Sequence, residues 1–285
     1  TLMMRYLIIL LIFGSQISCS KEKDPEDTKP IVSAVYTNIS YGSDALQVMD
    51  VYLPEKRNVK TTKTIVVIHG GGWVGGDKTE MTILIDSLQK RMKNYAFINL
   101  NYRLAVNNSI NVFPSQENDV KSAIEFYLSK SGEYLVSKDL VVLGGSAGGH
   151  LALLHSYKND PEKHVKAVVD FFGPSNLVAA WNDGLIQQLV LIGAIGKTYD
   201  QDPQIYIQSS PVNFITAQTP PTIALQGGQD FVVLPAQSQI LINKLNSAGV
   251  SNQLVLYPAD GHGFSGPNTI DAYNKVQSFI EQHVR

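Results

Sequence analysis

The side chains that could act together chemically in this chain are a serine, a handful of aspartates and six histidines, and the serine stands out first. Ser146 sits in Gly144-Gly145-Ser146-Ala147-Gly148, between the apolar run Val141-Val142-Leu143 and the helix-forming run Leu151-Ala152-Leu153-Leu154. A buried strand, a turn too tight for side chains and a helix, with a serine at the bend, make a nucleophile elbow. The glycines keep strand, helix and hydroxyl from colliding. A serine hydroxyl is a weak nucleophile at neutral pH and needs a base to take its proton. His262, in Asp260-Gly261-His262-Gly263-Phe264, is the candidate base. His283 is terminal, His164 precedes a strand, His150 and His155 fall on different faces of the elbow helix, and packing suits His69 better. An imidazole in this role needs an anion to fix its tautomer. Asp230, in Gly227-Gly228-Gln229-Asp230, gives the chain order Ser, Asp, His; Asp170, ending a strand, is its rival, and Asp260 stands too near the histidine in sequence.

Attack on a carbonyl creates an oxyanion that preorganised N–H groups must hold, each worth on the order of 3 kcal/mol to the transition state. The backbone of Ala147 is one expected donor, and Gly71 and Gly72, in His69-Gly70-Gly71-Gly72-Trp73, are the others. Trp73 either walls the pocket or packs beneath it. Gly71 to Thr79 nearly spells a phosphate loop, but Asp77 between Gly76 and Lys78 would oppose phosphate. No His or Cys spacing supports a metal, and the chemistry requires no cofactor.

Positioning these residues takes a sheet. Apolar, strand-like runs recur at Ile31 to Pro54 (two runs), Lys63 to Ile68, Tyr95 to Leu100, the elbow strand, Val165 to Phe172, Thr222 to Gln226 and Gln253 to Tyr257. Helical patterns separate them, through Met81–Met92, from Pro114, after the elbow, at Ala236 to Ser247 and from about Thr269. This alternation predicts an α/β fold with a mostly parallel sheet and helices on both faces. The stretch 175–220 departs from it, with one apolar helical run at Leu185 to Ile195, and reads as a short cap-like excursion. In such sheets the chemistry lies beyond the carboxyl ends of the strands. The glycine loop, Ser146, Asp230 and His262 each follow a strand and so fall on one edge.

The net charge of -2 gives no electrostatic case for nucleic acid. At the start, Arg5 precedes the apolar run Tyr6 to Phe13, too short to span a bilayer, and small residues lead to Cys19. Residues 1–19 are therefore expected to be an export signal of the lipoprotein type, with a lipid on Cys19 as the chain's membrane contact; plain secretion is the alternative. Residues 20–30, charged and proline-bearing, form a flexible tether, and 31–285 the catalytic domain. The expected location is outside the cytoplasm, in the periplasm or at the cell surface.

Asp50-Val51-Tyr52-Leu53-Pro54, His69 to Trp73, Asn101-Tyr102-Arg103-Leu104, Gly144 to Gly149, Ser210-Pro211 and His262-Gly263-Phe264 together resemble an α/β-hydrolase of the hormone-sensitive-lipase-like kind. The chain is most similar to the single-domain bacterial feruloyl and acetyl esterase group acting on plant polysaccharides. The resemblance implies Ser146 as nucleophile, Asp230 as acid, His262 as base and Gly71, Gly72 and Ala147 as oxyanion donors. One departure is Gln226-Gly227, where the family often has His-Gly. The expected activity is hydrolysis of a carboxylic ester through an acyl-enzyme, removing acetyl or feruloyl groups from polysaccharide. Alternatives are a general short-chain carboxylesterase, a prolyl-oligopeptidase-type peptidase, and a binding protein on an inactive hydrolase scaffold. The peptidases carry an added gating domain, for which the residues after Pro30 leave no room.

Overall fold

Eight strands form one sheet in the order β1-β2-β4-β3-β5-β6-β7-β8. They are β1 (Ala34–Ser40), β2 (Val48–Leu53), β3 (Thr64–Ile68), β4 (Ala96–Leu100), β5 (Leu140–Gly145), β6 (Val165–Phe171), β7 (Thr222–Gly227) and β8 (Asn252–Tyr257). β2 pairs antiparallel with both β1 and β4, and every other pairing is parallel. The computed structural model describes residues 30–284. The expected export signal, Cys19 and all of the tether but Pro30 lie outside the described residues. From Ile31 on, the chain clusters as one compact unit.

The helices are α1 (Thr82–Arg91), α2 (Ser115–Ser129), α3 (Ser131–Tyr134), α4 (Ala147–Lys158), α5 (Leu177–Trp181), α6 (Leu185–Ile195), α7 (Pro203–Gln208), α8 (Pro235–Ser247) and α9 (Pro267–His283). Side chains of successive strand residues point to opposite faces, so each central strand feeds two cores. Val66 and Ile68, Val142, Val168 and Ala224 pack on one side against Val120 and Ile124 of α2, Leu151 and Leu154 of α4, and Leu241 and Leu245 of α8. Ile65 and Val67, Val141 and Leu143, Val169, Ile223 and Leu225 pack on the other against Leu84, Ile85 and Leu88 of α1 and Val276 and Phe279 of α9. A strand buried on both faces reads as a continuous apolar run, which is why β3, β4 and β5 were visible as such.

Register brings the carboxyl ends level. Ile68 pairs with Gly144, Gly145 with Phe171, and Gly227 with Tyr257. The residues following β3, β5, β6, β7 and β8 therefore emerge along one rim. At the opposite rim, Lys63 Nζ just ahead of β3 donates to the Val284 carbonyl, 3.1 Å away, which places the end of α9 there.

The excursion at 175–220 holds no strand among the described residues and is built from α5, α6, α7 and a short 3-10 turn, Pro211–Phe214. Its first helix is capped by Asn176, and Leu177 N–H donates to Ser210 Oγ at 2.9 Å, tying the start of the excursion to its end. Pro114 occupies the N-cap of α2, one place before the helix, where it was expected to open the helix itself.

Candidate active site

Ser146 holds φ 54° and ψ −122° between the end of β5 and the start of α4. A non-glycine residue persists at such a φ only where its surroundings over-determine it. Here strand and helix leave no alternative: a Cβ on Gly144 would strike the Gly148 carbonyl, and one on Gly148 would strike the carbonyls of Ile68 and His69. The elbow is thus clamped from both sides, with Ser146 N–H donating to the Phe171 carbonyl at 2.8 Å.

The rim delivers the partners. Ser146 Oγ lies 2.9 Å from His262 Nε2, and His262 Nδ1 lies 2.7 Å from Asp230 Oδ2. Asp230 is fully buried, and its other bonds come from the N–H groups of Val232 and Val233 on Oδ1, at 2.9 and 3.0 Å, and from Gln226 Nε2 on Oδ2, at 3.2 Å. A carboxylate is an acceptor only, so Nδ1 carries the proton and Nε2 is left to accept from the serine hydroxyl. Phe172, at φ 44°, sets its ring edge-on to the imidazole with centroids 4.7 Å apart, and Phe264 packs against Phe172 in turn.

Of the rival anions, Asp260 accepts from Ser265 Oγ at 3.2 Å and from Asn268 Nδ2 at 2.7 Å, so it ties the histidine loop to the start of α9. Asp170 is buried away from His262, with Oδ1 accepting from Gly173 N–H at 2.9 Å. Burial pushes its carboxyl up to about 8, against which the Gly173 N–H is too little. His69 is a packing residue: its ring stacks on Tyr102, centroids 4.3 Å apart, and burial lowers its proton affinity. His150 and His155 are both buried in the helix that carries the serine, and desolvation brings each down to about 4.

The glycine loop faces the serine. Gly71, Gly72 and Trp73 take φ values of 103°, 59° and 63° in succession, a conformation that the two glycines adopt without strain and into which the loop holds Trp73. No protein acceptor among the described residues takes the N–H of Gly71, Gly72 or Ala147, although all three line the cavity that holds Ser146. Free backbone donors around a nucleophile are what a developing oxyanion needs. Trp73 does both jobs considered for it, since it is buried in the core cluster and also lines the cavity.

The loop is pinned from behind. Tyr102 Oη donates to the carbonyls of His69 and Gly70, both at 3.1 Å. Lys78 Nζ reaches back to Asp50 Oδ2 at 2.6 Å in a nearly buried pair, so this lysine is not free to meet a phosphate. Asp77 caps the turn that follows: burial works against its charge, but hydrogen bonds from Thr79 and Asn101 overcome it and hold its carboxyl at about 2.

The cavity measures about 780 Å³. Phe171, Phe172, Phe264, Tyr273, Met81 and Leu84 give it a largely apolar, partly aromatic lining. The excursion adds Ala180, Asp183, Gln187, Val190 and Leu191 to the lining, with Gln237 of α8, and Glu80 just ahead of α1 brings a second carboxylate. Sequence reasoning missed this polar group and the roles of Phe172 and Gln226. Only Gln226 had left a trace, as a polar residue closing an otherwise apolar strand.

Known proteins resemble the chain over most of its length. A family model described as BD-FAE matches residues 49–245. Esterase LipC of Mycobacterium tuberculosis is 25% identical over 90% of this chain and 69% of its own length. Among solved structures, a truncated carbohydrate esterase from gut microbiota superposes with a TM-score of 0.75 at 25% identity, covering 90% of this chain and 98% of that one. A bifunctional GH43-CE protein of Bacteroides eggerthii gives 0.77 at 25% identity, over 88% of this chain and 38% of that one.

Proposed function

The chain belongs to the BD-FAE family of α/β-hydrolase esterases, and from that premise we propose that Ser146, His262 and Asp230 hydrolyse a carboxylic ester through an acyl-enzyme. The observation that carries this reading is the unbroken relay from Ser146 Oγ to His262 Nε2 and from Nδ1 to Asp230 Oδ2, at 2.9 and 2.7 Å. As Oγ attacks the ester carbonyl, His262 takes the hydroxyl proton, and Asp230 stabilises the imidazolium. The carbonyl oxygen becomes an oxyanion beside the N–H groups of Gly71, Gly72 and Ala147. His262 returns the proton to the departing alcohol. Water then repeats the sequence on the acyl-serine, with the same imidazole as base, and frees the acid.

The substrate we propose is an esterified carbohydrate carrying acetyl or feruloyl groups. Support comes from the structural relatives named as a carbohydrate esterase and as a bifunctional GH43-CE protein, and from the aromatic residues lining the cavity, which offer an acyl group an apolar surface. The export-type segment at 1–19, with Cys19 as lipid acceptor, supports a place outside the cytoplasm, where polysaccharide is met. Labelled palmitate should enter the wild type and not Cys19→Ala; absence of label in both overturns the lipid anchor.

The test of the activity is a panel of acetyl, butyryl, octanoyl and feruloyl esters, with acetylated and feruloylated xylan, run against wild type and Ser146→Ala. The expected result is release of acid by the wild type and loss of release, and of fluorophosphonate labelling, in the variant. Cleavage of nitrophenyl esters without release from either xylan would replace the carbohydrate assignment with a general carboxylesterase.

A further inference from the structure

The rim opposite the cavity carries cations without ion-pair partners, set among apolar side chains left in water. Ala34 pairs with Leu53, Tyr52 with Phe97 and Thr64 with Ala96, so the chain ahead of β1, β3 and β4 and the chain after β2 meet at one corner of that rim. Hydrogen bonds knit the corner together. Lys56 N–H donates to the Ile31 carbonyl at 3.0 Å, and Ser137 N–H, just ahead of β5, donates to the Thr62 carbonyl at 2.8 Å. Arg57 donates to the carbonyls of Val32, Pro54 and Tyr134 and to no carboxylate.

Lys56, Lys60, Lys93 and Lys138 are exposed here, and neither they nor Arg57 lie within ion-pair distance of an acid among the described residues. Of the acids nearby, Glu133 pairs with Lys130 and Asp139 with Lys166, which leaves Glu55 and Glu281 against these five cations. The cavity side is the reverse. Lys78 and Arg103, which follow β3 and β4 there, are taken up by Asp50 and Asp119 at 2.6 and 2.7 Å, and the cavity lining holds Glu80 and Asp183 but no lysine or arginine.

Charge alone would suit any polyanion, and the apolar residues narrow the choice. Val59, in the loop between Arg57 and Lys60, is 48% exposed, and Ile31, Val32, Val35 and Tyr36, where the chain enters the sheet, are between 37% and 66% exposed. Lysine stems lie along apolar surface while their ammonium groups stay in water, so apolar side chains ringed by lysines suit the headgroup layer of an anionic membrane. The course of the chain points to the same partner. It enters the compact unit at Ile31, in this corner, and residues 20–30 reach at most about 40 Å fully extended, so a lipid on Cys19 would hold the corner within that distance of a bilayer. We propose that the corner formed by 31–36, 54–60, Lys93 and Lys138 docks on an anionic phospholipid surface. The cavity, at the other rim, stays uncovered by such docking. This goes beyond ester hydrolysis and does not depend on it.

The test is cosedimentation of residues 20–285, which keep the compact unit whole, with vesicles of phosphatidylcholine alone or mixed with phosphatidylglycerol. Wild type should bind the mixed vesicles, release them at high salt, and bind phosphatidylcholine alone far more weakly. One cation near such a surface is worth roughly fivefold in binding, so Lys56→Gln combined with Lys60→Gln should weaken it by more than about tenfold. Val59→Ser should weaken it too, whereas Lys197→Gln, in the excursion, should bind as wild type does. All of these variants should keep the wild-type melting temperature, which separates lost docking from lost folding. A wild type that ignores the mixed vesicles or binds both kinds alike overturns the proposal, as does unchanged binding in the double variant. Retention on polygalacturonate without binding to the mixed vesicles overturns it as well, and gives the corner to an acidic polysaccharide.

Discussion

The substitution Asp230→Asn keeps the size of the side chain and can keep both bonds to Val232 and Val233, but removes the charge that faces His262. The imidazole then loses the partner that holds its proton on Nδ1 and that stabilises its charged form. We expect kcat to fall by on the order of 10⁴. Asp170→Asn is the control, because Asp170 does not reach the imidazole; steady-state kinetics should leave it within tenfold of wild type. A reversal of the two results would give the acid's role to Asp170. The sequence favoured Asp230 but kept Asp170 as its rival, since the one follows a strand and the other ends a strand at the same rim. What separates them is the short chain after β7, where Val232, Val233 and Gln226 converge on one carboxylate. Such convergence is a property of a folded loop, and no spacing rule announces it.

At the scale of elements, the legible parts were those with a period long enough to read. β3, β4 and β5 are continuous apolar runs, and α6 was located at Leu185 to Ile195, its observed span. α3, α5 and α7 have four to six residues each, barely more than one turn, and so carry no readable periodicity. The motifs that supported the family resemblance acquire a physical meaning here. Asp50 of β2, Asn101 and Tyr102 all grip the glycine loop from behind, through Lys78, Asp77 and the carbonyls of His69 and Gly70. They contribute by holding the oxyanion donors still. Lys78→Met should therefore leave Asp50 buried and unpaired, costing roughly 3–5 kcal/mol in denaturant unfolding. The same variant should lose kcat more than it changes KM, because the loop serves the transition state. Gly148→Ala tests the elbow: its methyl would run into the carbonyls of Ile68 and His69, and overpacking of this kind costs roughly 1–3 kcal/mol. A variant with wild-type melting and turnover would contradict the close approach of α4 to β3.

For the molecule as a whole, buried titratable groups away from the relay make stability depend on pH. His150 and His155 are brought down by burial to about 4, below the ordinary histidine value, so between about 4 and that value the unfolded chain binds more protons than the folded one. Their contribution is complete at neutral pH and is lost as pH falls through that window. Asp170 runs the other way. Burial raises it to about 8, so the folded state holds an extra proton from the ordinary carboxylate range up to that point, and its contribution declines as pH rises. His69, also lowered by burial, adds to the two histidines, so stability climbs on leaving acid, and Asp170 makes it decline above the histidine window. Guanidinium midpoints should accordingly peak near pH 6.5, and in Asp170→Asn the decline above the peak should disappear. A wild-type midpoint still rising at pH 8 would contradict the burial of that carboxyl as a charged-form penalty.

The pin between Lys63 and the Val284 carbonyl has a practical corollary, because it leaves the last described residues on the far side of the sheet from the cavity. Anything joined after α9, whether a second module, an affinity handle or a solid support, would hold the molecule by its base with the opening turned outward. Immobilised in that orientation, the protein should work on insoluble material at nearly the rate it shows when free.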